Sequence, residues 1–441
     1  MSSSVLVIHV PGLSPGLMKR LDRMPTLKSL VATGFFKPLR PTFPALGPSV
    51  DTSILTGKNP KDHGILGTVR FDRETFQTYV HENSARLVTG DRIWNVAKRK
   101  KNDFTTAALF WGHTLYSDCD IYLTTNPVPS GKGEYLPVGY SRPKDLYPKL
   151  VEAIGEYNHK WSWGGETSIQ GSQWIMKATK FVLEKYSPNL VLTLVPQLEI
   201  ALQKYGLNSP HLLIELTKLD GLFKELVAFS NENHYTVVVL SEYGMTDVKD
   251  AVLINRVLRD TYFQDVREVG GKEYLDYGTS KAFAVCDHQI AHVYVRDKLV
   301  KPIKDLLVMV PGIELVLDAD GMRDHHITHP RCGDLVCVAT KDRWFAYHWW
   351  KEDGEEKAPP FAKSVDMVRK GAYDPLELFQ DVRTKQVDFT QLQSVKASYG
   401  RLPRDTNEMG VFVCSKRTAE RPQEIMTALD IGKFILYLCG V

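Results

Sequence analysis

The stretch YTVVVLSEYGM, Tyr235 to Met245, decides the fold. Tyr235 to Leu240 is β-branched and apolar without alternation, which is how a parallel strand buried on both faces reads. A polar turn follows at once, so Glu242 stands just past the carboxyl end of that strand. Two other runs have the same build. Val5 to His9 leads into the turn Pro11-Gly12-Leu13-Ser14-Pro15, and Leu190 to Val195 leads into Pro196-Gln197-Leu198-Glu199. Thr105 to Phe110 is a further strand. Leu17, Leu21, Met24, Leu27 and Leu30 recur near helical spacing and predict one helix stopped by Gly34. After the proline-rich loop Pro41 to Pro48, Ser49 to Leu55 predicts another, closed by Thr56-Gly57. Strands alternating with helices predict an α/β chain built on a doubly wound sheet with helices on both faces. Such sheets bind ligands at the carboxyl ends of their strands, where His9, Glu199 and Glu242 stand.

The 441 residues allow one large domain with a cap, or two domains. An apolar fraction of 43% and an aromatic fraction of 10% suffice for a packed core. A net charge of +3 offers no basic stripe, which argues against nucleic-acid binding. The six cysteines form no CxxC pair, which predicts buried free thiols in a reducing compartment. The start MSSSVLVIHV lacks a basic n-region and reads as a core strand. No apolar run is long enough to span a bilayer, and FILYLCGV reads as a docking terminal helix. Together these features predict a chain of the cytoplasm or an organelle interior, not a secreted one.

Pro127 to Pro143 reads as a long surface excursion, and Lys98 to Lys101 as a solvated helix end. Residues 281–371 are more mixed. Phe283, Val285, Ala291, Val293 and Val295 alternate as a strand does. Val308 to Leu317 and Leu335 to Ala339 predict further strands, and Trp344 to Trp350 is strongly aromatic. This stretch predicts a smaller α+β cap inserted into a main domain made of residues 1–280 and 372–441. The aromatic run reads as cap core, with a contact surface as the alternative.

Several fragments, in this order and spacing, carry a resemblance. They are Gly12-Leu13, Phe43-Pro44-Ala45-Leu46, Leu55-Thr56-Gly57-Lys58-Asn59-Pro60, His63-Gly64-Ile65 and Ser172-Gln173-Trp174-Ile175. Farther on come Asp287-His288-Gln289-Ile290-Ala291-His292, His329-Pro330-Arg331 and Tyr373-Asp374-Pro375. They are similar to the nucleotide pyrophosphatase/phosphodiesterase-like members of the alkaline phosphatase superfamily, over nearly the whole chain. The later fragments look closest to a bacterial branch that also reads SEYG where the superfamily norm is SDHG. The resemblance implies an alkaline phosphatase-like fold. It also implies two divalent metals about 4 Å apart that clamp an in-line displacement on phosphorus, with a Thr or Ser nucleophile.

Position by position, the implied machinery is replaced. Gly47 occupies the nucleophile position, with Ser49 and Thr52 as nearby hydroxyls. Pro11 stands where a first-strand Asp would ligate, and His9 lies two residues earlier. The motif LDxxxQ becomes Leu198 to Gln203 with Glu199 for Asp. Glu242 and Tyr243 replace the Asp and His of SDHGM. Tyr399 replaces the His of GSHG, and Val368 replaces a further histidine. Neutral tyrosine is a poor zinc ligand, and glycine, proline and valine side chains ligate nothing.

Three functions fit. The first is a pseudoenzyme that has lost two-metal phosphoryl transfer and binds a small molecule or a protein partner. The second is a metal-free acid/base enzyme (a lyase, isomerase or cyclase) using Glu199, Glu242, Tyr243 and Tyr399, since close carboxylates raise one another's pKa. The third is a residual one-metal hydrolase. There a single zinc or manganese would be held by Glu199 and Glu242 with His288 or His292. No cofactor is expected on the first two readings.

Overall fold

A computed structural model describes residues 4–129, 135–296, 298–366 and 368–441. Its centre is a nine-stranded sheet. In chain order the strands are β1 (Ser4–His9), β2 (Phe35–Arg40), β3 (Thr106–Leu109), β4 (Ile121–Pro129), β5 (Tyr135–Arg142), β6 (Leu190–Leu194) and β7 (Tyr235–Ser241). A smaller antiparallel sheet follows: β8 (Ala282–Asp287), β9 (Ile290–Val295), β10 (Ile313–Leu317) and β11 (Leu335–Ala339). The chain then returns to the large sheet through β12 (Gly410–Cys414) and β13 (Met426–Thr427). The large sheet runs β13-β2-β12-β7-β1-β6-β3-β4-β5, and the small one β8-β9-β11-β10.

β1, β3, β4, β6 and β7 pair in parallel, while β12 and β5 are antiparallel additions. The unalternating sequence of β1 and β7 now has its reason, because both faces are covered. Leu6 and Ile8 point into one apolar cluster, and Val5 and Val7 into the opposite one. The first cluster is closed by α2 (Ile169–Tyr186) and α4 (Pro210–Glu232). The second is closed by α1 (Gly47–Thr56) and α5 (Ala428–Leu438). A shorter helix, α3 (Gln197–Tyr205), follows β6 directly.

Three local expectations need correction. The stretch Leu17 to Leu30 is not one helix. Pro25 starts a new one, Pro25–Thr33, after a short 3-10 turn, since proline cannot continue an α-helix. Pro127 to Pro143 is no free excursion. Its flanks form the β4–β5 hairpin at the sheet edge, where proline's missing N–H is tolerated; residues 130–134 lie outside the described set. Val308 closes a helix, Val300–Val308, and the strand starts only at Ile313, past the Pro311-Gly312 break.

Trp344 to Trp350 is buried throughout and packs in a third apolar cluster with the small sheet. That location makes it core and removes it as a contact surface. All six cysteines are buried and free. Among the described residues, no helix is long and apolar enough to cross a membrane.

Candidate functional site

Strand alternation puts His9 on the face of Val5 and Val7, and places Glu242 two residues beyond Leu240 on that same face. α1 covers this face. Gly47 and Asp51 lie one turn apart on it, so both turn toward Glu242 and His9. The result is a buried group. Nε2 of His9 touches Oε2 of Glu242 and lies 3.6 Å from Oδ1 of Asp51. His9 is 0% exposed, Glu242 1% and Asp51 6%. The Trp111 ring stands 4.8 Å from the imidazole. A Cβ on Gly47 would sit 3.4 Å from Oε1 of Glu242 and 3.8 Å from the Tyr243 hydroxyl.

A second group lies beside it. Glu199 and Gln203 are one turn apart on α3, and both face the loop that carries Tyr399. The Tyr399 hydroxyl donates to Oε1 of Glu199 at 2.8 Å, and Nε2 of Gln203 donates to the same oxygen at 3.1 Å. Tyr373 donates to Oε1 of Gln203 at 3.0 Å. Tyr399 is pinned on both sides. Its carbonyl accepts from the Gln289 amide, and the carbonyl of Gly400 accepts from Ala45. Its ring stacks on Tyr243 with centroids 3.9 Å apart and planes 10° apart. His288 closes against Tyr399 and Tyr373 at 3.9 and 3.8 Å.

Burial dominates the electrostatics. It pushes the Glu242 carboxyl up to about 8 and that of Glu199 to about 7, the latter against the pull of its Tyr399 bond. Asp51 is raised for the same reason, with His9 opposing, and His9 is held below its usual value. Both phenols are driven well above the ordinary range by burial and then by Glu199, so they stay neutral. Glu199 keeps partial solvent exposure, unlike the acids of the first group.

The structure therefore sets Glu199, Tyr243 and Tyr399 beside Glu242 and Gly47. His288 joins them through its ring contacts. Its Nε2 has no hydrogen-bond partner. His292 belongs elsewhere: Nδ1 accepts from the Gly333 amide and contacts Sγ of Cys332. Val368 is 46% exposed, away from any ligand set. Asp51 is the member that sequence reasoning missed. Its one signal was an acid on an otherwise apolar and hydroxylic helix, four residues after the nucleophile position.

The model of the type I phosphodiesterase/nucleotide pyrophosphatase family matches residues 5–374. The chain belongs to this family. An uncharacterised pyrophosphatase/phosphodiesterase of Schizosaccharomyces pombe is 24% identical over 269 residues, 57% of this chain. The chain covers 47% of that relative's length, about half. Among solved structures, the phosphonoacetate hydrolase of Sinorhizobium meliloti with phosphonoformate is similar at a TM-score of 0.64. It is 15% identical, and the likeness covers 99% of this chain and 96% of that one. The murine ectonucleotide pyrophosphatase/phosphodiesterase 5, an inactive form with AMP, is similar at 0.63 and 14% identity, covering 100% and 95%. These likenesses confirm the alkaline phosphatase-like α/β fold.

The phosphodiesterase family implies two metals, and the residues at its ligand positions do not fit a pair. Pro11 and Gly47 offer no donor. Tyr243 and Tyr399 are neutral phenols stacked face to face, both turned to Glu199. Oε1 of Glu199 already accepts from Tyr399 and Gln203.

Proposed function

We propose that this phosphodiesterase-family chain does not carry out two-metal phosphoryl transfer and serves as a scaffold that binds a protein or small-molecule partner. One observation carries the reading. A glycine stands where the nucleophile would be, and the Tyr243 phenol, itself stacked on Tyr399, and the Glu242 carboxylate border the place of its missing side chain. A phosphoryl group joined to a side chain at residue 47 would need the volume those groups hold. Interiors are close-packed, so such a group enters only if the stack opens. The retained core keeps the fold intact without the chemistry.

Calorimetry with AMP and with phosphonoformate, the ligands held by the two similar structures, tests this directly. With zinc or manganese present, no saturable binding is expected up to about 1 mM ligand. A dissociation constant below about 100 μM for either ligand, together with metal-dependent cleavage of a phosphodiester, would sink the reading.

A second reading, a metal-free acid/base enzyme, is favoured by Glu199. Burial holds its carboxyl near neutrality, at about 7, and it is bonded to a phenol. It would be recognised by an activity lost in Glu199→Gln with the fold retained.

A further inference from the structure

We infer that His9, Asp51 and Glu242 form a site for one divalent cation, zinc or manganese, distinct from the metal pair that the family motifs imply. The inference stands whether or not the scaffold reading holds. Of the three ligands, only Glu242 lies at a position where those motifs place one. His9 comes from the end of β1 and Asp51 from the second turn of α1.

Three observations carry it. First, one ligand atom from each residue lies within 4.8 Å of the other two, and this is the group of three or more such residues found among the described residues. Second, Oδ1 of Asp51 is buried, has no hydrogen-bond partner and lies 3.6 Å from Nε2 of His9. Ligand atoms about 2.0–2.2 Å from a tetrahedral ion stand roughly 3.3 Å apart, so little movement is needed to share one. Third, the positions are rigid. β1 pairs on both sides with parallel strands, His9 opposite Leu194 and Leu240, and Glu242 follows Ser241, which pairs with Val411.

The donor set names the cation class. One imidazole and two carboxylates suit zinc or manganese, and the lack of thiolate or thioether disfavours copper(I). The charges agree, because an ion displaces the acids' protons and its two charges match the two carboxylates that then hold it. With Trp111 against His9, the ion would be enclosed, and its role would be to tie β1, β7 and α1 together.

The test uses the full chain, stripped with chelator and then dialysed against zinc or manganese. Plasma mass spectrometry should find about one equivalent of one of them per chain. Asp51→Asn should weaken binding at least about tenfold, and Glu199→Gln, outside the trio, should leave it intact. X-ray absorption on the loaded wild type should show an oxygen and nitrogen shell without sulfur. That separates the trio from adventitious binding at cysteine and needs no variant to fold. Less than about a tenth of an equivalent of either metal, a sulfur shell, or affinity unmoved in folded Asp51→Asn would overturn the assignment.

Discussion

Gly410→Val is expected to prevent stable folding. Gly410 opens β12, the antiparallel strand laid against β7. A Cβ there would fall 2.0 Å from the carbonyl oxygen of Ser241 and 2.8 Å from the carbonyl carbons of Ser241 and Glu242. These are backbone atoms, so no side-chain rotation relieves the contact. The strand must move off β7 at the centre of the sheet. That breaks ladder bonds, opens the apolar cluster behind Val411 and Val413, and shifts the segment that aims Glu242. A loss above about 4 kcal/mol belongs to this class of backbone and packing disruption. Urea unfolding and soluble yield measure it. A variant within about 1 kcal/mol of the wild type would mean the close approach of β7 and β12 is wrong.

Lys370→Met is expected to cost about 3–5 kcal/mol, because it leaves buried carboxylates without their cation. The Lys370 ammonium is fully buried, 2.6 Å from Oδ2 of Asp374 and 2.8 Å from Oε1 of Glu377. Glu377 also accepts from Nε1 of Trp163 at 2.5 Å and from the Asp366 amide at 2.8 Å. Burial opposes the lysine's charge, but Asp374 and Glu377 outweigh it and raise its pKa. Burial raises the Glu377 carboxyl, and Lys370 pulls it down. Without the ammonium, the Glu377 carboxyl rises further in the folded state while the unfolded chain ionises normally. The penalty is therefore larger at neutral pH and shrinks as pH falls toward about 4.3, the ordinary glutamate value below which the unfolded carboxyl is protonated too. Chemical denaturation at pH 5 and pH 7.5 reads this slope. A variant equally stable at both would contradict the buried ion cluster.

Much of the sheet was legible because each central strand carries its burial on its face. β1, β6 and β7 are continuous apolar runs, and the parallel order follows from them. The hairpin β4–β5 was hidden because edge strands tolerate proline, so its composition mimicked a loop. In the site, Glu199 and Glu242 were readable as acids past strand ends. Their separation into two groups was not. It depends on which helix lies over which strand end, and that is a tertiary fact. Asp51 could be seen only once α1 was laid across the sheet, and the stacking of Tyr243 on Tyr399 required the Ala45–Gly400 bridge that brings two distant loops together.

The decisive measurement is hydrolysis of an activated phosphodiester, bis(p-nitrophenyl) phosphate, by the full chain with saturating zinc and, separately, manganese. The expected result is a rate equal to that of metal without protein and unchanged by Glu242→Gln, since Gly47 has no side chain to attack phosphorus and Tyr243 and Glu242 border its place. Metal-dependent turnover that Glu242→Gln abolishes would contradict the loss of phosphoryl transfer and return the chain to the active members of its family.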